Sequence, residues 1–283
     1  MTLWSVTRLW ILYGGAVEHT RRLWFLGLLW SPTLLALRFG QLSPVILVGI
    51  VAFLVCILRG RDFAAGAFLS LTAVKPQLVA LVWVSVGLWA LTDRRWHVLA
   101  GAVTTLVVGS AAALFANPFV FAQYFDLMLA APPTAAFESP NIATILQVFS
   151  GAESKWPQYV PTMVGAAAVA LLWYRRRDAW DWRDHLPALV LISCLVTSYG
   201  GWAFDLVVLL VPIVALAANL TQTRTDLRPI GGVLFLAVSF LALGMHAMRV
   251  PQAGFVWMTP VVAISWWTLH THRRMVQASV QHT

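Results

Sequence analysis

The stretch that decides the fold runs from Phe63 to Leu91 and reads FAAGAFLSLTAVKPQLVALVWVSVGLWAL. It is apolar almost throughout, and Lys75-Pro76-Gln77 interrupts it near its middle. A membrane-spanning helix needs about 20 apolar residues to cross a hydrocarbon core about 30 Å thick, so this stretch is too long for one span and too short for two. Proline removes a backbone donor and disfavours helix at the preceding residue. The sequence therefore predicts two part-length helices that meet at Lys75-Pro76.

Apolar stretches bounded by arginines recur along the whole chain, which is 60% hydrophobic and contains 15 tryptophans. This composition excludes soluble fold classes, and the apolar stretches lack the period-two alternation of a membrane barrel. The predicted fold class is an all-α polytopic integral membrane protein, with about 9–11 transmembrane or re-entrant helices. We expect residues 1–283 to form a single transmembrane domain.

The net charge of +8 comes from arginines that lie in short loops beside the apolar stretches. The positive-inside rule explains this pattern better than a nucleic-acid partner does. If residues 63–91 form a hairpin, most arginines share one side, and four basic residues lie opposite: Arg38, Lys75, Lys155 and Arg249. A single crossing would abolish that asymmetry. We therefore expect a multi-pass plasma-membrane protein whose arginine-rich loops are cytoplasmic and whose functional site faces the extracytoplasmic side.

Residues 116–157 form the longest polar interval and are rich in prolines and aromatic residues. This composition is typical of segments at the membrane–water boundary, so we expect an extracytoplasmic loop with interfacial helices. Glu138 and Asn141 in this loop are candidates for contacts with a sugar. The alternative is that they are ordinary solvated loop residues.

Lys75 is the most informative single residue, because the chain has only two lysines and an ionisable group at membrane depth is costly. An ammonium there suits a phosphate, such as that of a lipid headgroup. The alternative is a structural lysine that pairs with a carbonyl or extends to the interface. Arg249, with His246 near the end of an apolar stretch, is a second candidate for an anion, or else an interfacial anchor.

A second candidate segment is 198–205, SYGGWAFD, in which two glycines break an apolar run and Asp205 begins the next span. It is either a polar pocket wall, in which Asp205 orients a hydroxyl or pairs with a cation, or a tight turn whose aspartate caps a helix.

Glycine-rich phosphate loops and the HExxH, GxSxG and CxxC motifs are absent from the sequence. We therefore predict no metal site and no cofactor, and we interpret Cys56 and Cys194 as small core residues.

Several short motifs together resemble glycosyltransferase family 87, over roughly Leu23 to Leu220. They are Phe39-Gly40-Gln41, Arg59-Gly60-Arg61, Ala65-Gly66, Lys75-Pro76-Gln77, Arg94-Arg95-Trp96, the loop from Ser139-Pro140-Asn141 to Gly151, and the cluster Ser198, Trp202 and Asp205. The resemblance implies a C-type membrane glycosyltransferase that transfers a sugar, often mannose, from a polyprenyl-phosphate donor with inversion, on the extracytoplasmic face.

In such a reaction the lipid phosphate leaves, so cationic groups must stabilise it, and a carboxylate acts as general base on the acceptor hydroxyl. Lys75 matches the family's lysine-proline motif and is, with Arg249, the candidate for the lipid phosphate. The candidates for the sugar or acceptor are Gln41, Gln77, Glu138, Asn141, Tyr199, Trp202 and Asp205. The expected partners are a polyprenyl-phosphate sugar lipid and membrane lipids, and no nucleic acid.

The family pattern also places a catalytic aspartate in the first outer loop, and here the sequence departs from it. Glu18 is the one acidic residue before Gly40, and it falls in a segment predicted to be cytoplasmic. We therefore expect a family member that lacks this catalytic loop, and no residue is assigned as the base. The predicted function is hexosyl transfer to a cell-envelope acceptor. The alternative is a non-catalytic membrane protein that binds or moves polyprenyl-linked sugars.

Overall fold

A computed structural model describes residues 1–130, 139–151, 155–222 and 227–281, and the residues in these ranges form helices and connecting turns without strands. Three helical segments are long and apolar enough to cross a membrane: Trp96–Ala116, Asp205–Gln222 and Leu227–Ala247. The prediction of an all-α polytopic membrane protein is confirmed.

The described residues contain fourteen α-helices. They are α1 (Thr2–Leu12), α2 (Thr20–Leu29), α3 (Ser31–Arg38), α4 (Ser43–Ile57), α5 (Asp62–Leu69), α6 (Ala80–Thr92), α7 (Trp96–Ala116), α8 (Val120–Ala130), α9 (Ile142–Ser150), α10 (Val160–Arg176), α11 (Trp182–Val196), α12 (Leu210–Gln222), α13 (Leu227–Ala247) and α14 (Met258–Gln281).

The stretch between α5 and α6 breaks where the sequence predicts. Two short 3-10 segments, Ser70–Val74 and Pro76–Val79, flank Lys75. Lys75 itself leaves the helical region, with φ −143° and ψ 70°. The break follows from the proline, which cannot donate a backbone hydrogen bond and excludes helix at the residue before it. Lys75 therefore lies at the apex between two part-length helices.

The two arms of this stretch form a hairpin. Arg95, directly after α6, pairs with Asp62 at the start of α5, with 3.3 Å between Nη1 and Oδ2. Nearer the apex, the Trp83 indole donates to the hydroxyl of Thr72 at 2.9 Å. Because one contact joins the two ends and the other joins the two arms, the chain returns to the end from which it started.

Close packing of α5 against α7 fixes the first arm. A Cβ atom added at Gly66 would overlap the carbonyl oxygen of Val98, and one added at Gly101 would overlap that of Phe63. Glycine at both positions lets the two backbones approach directly, as small residues do at helix interfaces in membranes.

The second arm is held by α11. The backbone N–H of Leu81, in the first turn of α6, donates to the buried hydroxyl of Ser193 at 3.1 Å. This bond satisfies a donor that has no partner within its own helix. Cys194, also on α11, is buried beside the carbonyl of Leu78, and Cys56 is buried in α4.

The interval 116–157, predicted as a loop with interfacial helices, contains α8 and α9. Asn141 begins α9, and its Oδ1 accepts from the backbone N–H of Thr144 at 2.8 Å. Residues 131–138, which include the candidate Glu138, lie outside the described residues.

Candidate functional site

Lys75 makes two hydrogen bonds at the hairpin apex. Its Nζ lies 2.7 Å from Oδ1 of Asp205 and 3.1 Å from Oε1 of Gln41. The Lys75 side chain is 19% exposed, whereas that of Asp205 is 1% exposed. The lysine therefore has a counter-ion inside the protein and still reaches the surface.

Asp205 receives a second hydrogen bond at the same oxygen. The Ser43 hydroxyl, at the first residue of α4, donates to Oδ1 at 2.6 Å. The other oxygen, Oδ2, is buried and has no hydrogen-bond partner among the described residues. Asp205 is thus a buried carboxylate with one oxygen engaged by both lysine and serine, and one oxygen unengaged.

The turn before Asp205 depends on two glycines. Gly200 and Gly201 both have φ of +72°, a left-handed conformation that side chains other than glycine adopt at a cost. A Cβ at Gly200 would lie 3.7 Å from both Oδ2 of Asp205 and Nε2 of Gln77. The glycine turn therefore lies next to both the amide of Gln77 and the unengaged carboxylate oxygen.

Two further contacts hold this segment. The buried Trp30 donates its indole N–H to the carbonyl of Leu206 at 3.0 Å, which fixes the residue next to Asp205. Asn141 donates from Nδ2 to the carbonyl of Gly200 at 3.0 Å while its Oδ1 caps α9. The interval 116–157 is thereby joined to the wall of the site.

Aromatic rings surround the lysine. Its Nζ lies 5.2 Å from the ring centre of Phe204 and 5.8 Å from that of Trp202, within the range of cation–π attraction. Tyr199 packs beside Trp202. Burial raises the pKa of Tyr199, and the neighbouring Tyr124 and Asp205 raise it further. Its phenol therefore stays protonated and uncharged at neutral pH.

The structure brings together most of the residues that the sequence singled out. They are Gln41, Lys75, Gln77, Asn141, Tyr199, Trp202 and Asp205. Arg249 is not among them: it lies exposed on the turn after α13, with φ of 58°. Its backbone N–H donates to the carbonyl of His246 at 3.0 Å, and its side chain makes no hydrogen bond or ion pair with any described residue. Its proposed contact with the lipid phosphate stays a prediction.

Sequence reasoning missed Ser43 and Phe204. A serine at the first residue of a span is usually a helix cap, and nothing local to Ser43-Pro44 indicates a distant carboxylate. Phe204 lies inside the segment 198–205, but a phenylalanine in an apolar span gives no sign that it faces a cation.

Two cavities lie away from Lys75. An apolar one of about 290 Å³ lies among α2, α12, α13 and α14, with Arg228 at its rim, where the guanidinium donates to the carbonyls of Leu220 and Thr221. A polar one of about 590 Å³ lies beside Tyr13, Asp184 and His270. Among the described residues, no cluster of three or more His, Cys, Asp or Glu side chains is arranged to hold a metal ion.

Comparison with known proteins identifies a family for this chain. A family model described as glycosyltransferase family 87 matches residues 1–198. No curated protein and no solved structure matches the chain. The matched segment covers more than two thirds of the chain and includes Gln41, Lys75 and Asn141, and it ends seven residues before Asp205. The chain belongs to glycosyltransferase family 87.

Proposed function

We propose that this protein transfers a hexose, with mannose as the candidate, from a polyprenyl-phosphate donor to a cell-envelope acceptor at the extracytoplasmic face of the plasma membrane. Membership of the family supports sugar transfer. The observation that carries the finer proposal is Lys75. Its ammonium lies at the apex of a membrane hairpin, fixed by Asp205 and Gln41 and still partly exposed.

The ammonium suits the leaving group of this reaction. The acceptor oxygen forms a bond to the anomeric carbon as the bond from that carbon to the phosphate oxygen breaks. The electron pair passes to the phosphate, and the proton of the acceptor hydroxyl passes to a general base. A lysine has three N–H donors, and Asp205 and Gln41 occupy two of them. The third is left for the phosphate, whose growing negative charge a fixed cation in a water-poor site stabilises strongly.

Asp205 is better suited to position Lys75 than to act as the base. Its Oδ1 already accepts from Lys75 and Ser43, and its Oδ2 is buried below the Gly200 turn. An acceptor hydroxyl has no access to either oxygen in this conformation. We therefore give Asp205 a positioning role and assign the base to no residue.

The burial of Asp205, the carboxylate beside Lys75, favours a second candidate function. Among the described residues, the carboxylate in contact with Lys75 is the fully buried Asp205, and a transferase needs a base that the acceptor can reach. A non-catalytic protein that binds or moves polyprenyl-linked sugars needs the cation but not the base. The site as described satisfies this second function without a further residue.

One experiment separates the two. Purified protein in lipid nanodiscs is given polyprenyl-phosphate mannose with radiolabelled mannose and a mixture of cell-envelope lipid acceptors, and both transfer and donor binding are measured for wild type, Lys75→Ala and Lys155→Ala. Transfer that Lys75→Ala abolishes and Lys155→Ala retains supports the enzyme. Binding that depends on Lys75 without transfer supports the second function. Full transfer and binding in Lys75→Ala contradict both.

A further inference from the structure

The apolar cavity of about 290 Å³ among α2, α12, α13 and α14 is a slot that runs along the helix axes. On α12 it is lined from Ile213 to Thr221, and on α13 from Arg228 to Val238. The lining residues of each helix fall on one face, because they recur at helical spacing. The ten residue steps from Arg228 to Val238 correspond to roughly 15 Å of helix. The slot therefore has the shape of a chain rather than of a compact molecule.

The two ends of the slot differ in charge. At one end the guanidinium of the exposed Arg228 donates to the carbonyls of Leu220 and Thr221, near the end of the span that begins at Asp205. Toward the other end lies the buried Trp30, whose indole donates to the carbonyl of Leu206 at the start of that span. Among the lining residues in the described part of the chain, Arg228 carries the one charged side chain. The slot thus has a cation at one end and mainly hydrocarbon along the rest.

The position of the slot places it within one leaflet of a bilayer. The segments Asp205–Gln222 and Leu227–Ala247, which form two of its walls, are both long and apolar enough to cross a membrane, and little of the second is buried within the protein. Arg228 lies on the side that the distribution of arginines predicts to be cytoplasmic. A length of roughly 15 Å is half of a hydrocarbon core about 30 Å thick. The slot therefore reaches from the cytoplasmic headgroup region to about the middle of the bilayer.

A glycine keeps the slot open near its charged end. A Cβ atom at Gly231 would lie 3.5 Å from Leu220 and 3.9 Å from Leu269, two side chains that line the slot. No backbone atom approaches this position within 4 Å, and its φ is not left-handed, so neither close helix packing nor a turn requires a glycine there. A larger side chain at position 231 would extend into the slot.

We infer that the slot binds one acyl chain of an anionic phospholipid of the cytoplasmic leaflet, with the lipid phosphate beside Arg228. The slot has the length of one leaflet, which a phospholipid tail also spans, whereas a polyprenyl chain is much longer. Cationic side chains at the cytoplasmic surface attract anionic headgroups, and a guanidinium suits a phosphate. This site lies apart from Lys75, takes a different lipid and goes beyond the proposed function.

The test measures the affinity of the most tightly bound lipid by native mass spectrometry, on delipidated protein in detergent. Phosphatidylglycerol, which is anionic, is compared with phosphatidylcholine, which has the same acyl chains and no net charge. Gly231→Leu fills the slot from α13, and Ala217→Leu fills it from α12. Gly244→Leu is the matched control, because Gly244 is an exposed residue of α13 outside the slot, with no atom near its Cβ position.

We expect Gly231→Leu and Ala217→Leu to weaken both phospholipids about tenfold, which is the effect of excluding roughly two methylene groups. Gly244→Leu should bind both as the wild type does. The wild type should prefer phosphatidylglycerol about fivefold, and this preference should persist in Arg228→Lys and disappear in Arg228→Gln. Arg176→Gln, at an exposed arginine that ends α10, should keep the preference.

Two results would overturn the inference. Wild-type affinities for both phospholipids in Gly231→Leu and Ala217→Leu would show that no chain occupies the slot. A preference for phosphatidylglycerol that survives Arg228→Gln would show that the headgroup lies elsewhere.

Undecaprenyl phosphate separates this site from the one at Lys75. We expect Gly231→Leu to bind undecaprenyl phosphate as the wild type does, because Lys75 does not line the slot. A tenfold loss of undecaprenyl phosphate in Gly231→Leu, with phosphatidylglycerol unaffected, would assign the slot to a polyprenyl chain and contradict the inference. Loss of sugar transfer or of donor binding in Lys75→Ala tests the proposed function alone.

Discussion

Replacement of Lys75 by methionine removes the charge and keeps most of the side-chain volume. It leaves Asp205 buried, with the Ser43 hydroxyl as its remaining donor. Removing one partner of a buried ion pair costs about 3–5 kcal/mol, because the other charge stays in a medium of low dielectric. Lys75 is 19% exposed, so solvent screens part of its pair, and we expect a loss near the lower limit, about 3 kcal/mol.

The assay is a double-mutant cycle of Lys75→Met, Asp205→Asn and the double variant, each followed by thermal unfolding in the same detergent. At about 2–4 °C per kcal/mol, Lys75→Met should lower the melting temperature by roughly 10 °C. The double variant has no charge to bury, so it should melt well above Lys75→Met. A coupling free energy of about 2 kcal/mol between the two sites is expected, since residues in direct contact are not additive.

In the double variant, binding of polyprenyl phosphate should not recover together with stability. The double variant lacks the cation, so we expect it to fold and yet to bind no polyprenyl phosphate. Melting of Lys75→Met at the wild-type temperature, or single-variant losses that simply add in the double variant, would refute the view that the pair is buried and coupled. Donor binding by the double variant at wild-type strength would refute the role of Lys75.

Three further predictions concern the hairpin and the interval 116–157. Gly101→Ala should destabilise the protein, because the new methyl group meets the backbone of α5, whereas Gly109→Ala, in open space on the same helix, should gain about 1 kcal/mol of helix propensity; thermal unfolding compares them. Asn141→Ala should lower stability by about 1 kcal/mol through the lost cap of α9 and weaken donor binding through the freed Gly200 turn, whereas Asn141→Asp keeps the cap; melting and binding of both variants check this. In a background without the native cysteines, Asp93→Cys should react with an impermeant thiol reagent only from the cytoplasmic side and Val74→Cys only from the outside, and labelling of both from one side would contradict the hairpin topology.

Much of the hairpin could be predicted from local sequence. Proline after Lys75 fixes the break, and the length of residues 63–91 excludes two full spans. The return of the chain could be predicted only from the distribution of arginines, and the contact between Arg95 and Asp62 agrees with it. The proline, the length of the stretch and the distribution of arginines can all be read from the sequence without knowledge of how the helices pack.

The partners of Lys75 could be predicted only as a set of candidates. From the sequence, Asp205 is a candidate to pair with a cation, but that cation cannot be identified, because 130 residues separate Asp205 from Lys75. Ser43 is 162 residues from Asp205 and contacts it through the packing of α4 against the turn before α12. Contacts of this kind depend on the relative placement of whole helices, which local propensity does not encode.

The boundary of the family match passes through the middle of the site. Residues 1–198 supply Lys75 and Gln41, whereas the carboxylate that neutralises the lysine comes from Asp205. Gln41 alone provides one neutral acceptor, which does not offset the cost of placing an ammonium in a medium of low dielectric. The hairpin apex and the span that begins at Asp205 therefore form one electrostatic unit. The Lys75 ammonium needs the Asp205 carboxylate as its counter-ion at this partly buried position. It also needs the partly open face beside Trp202 and Phe204 in order to bind an anion from outside the protein.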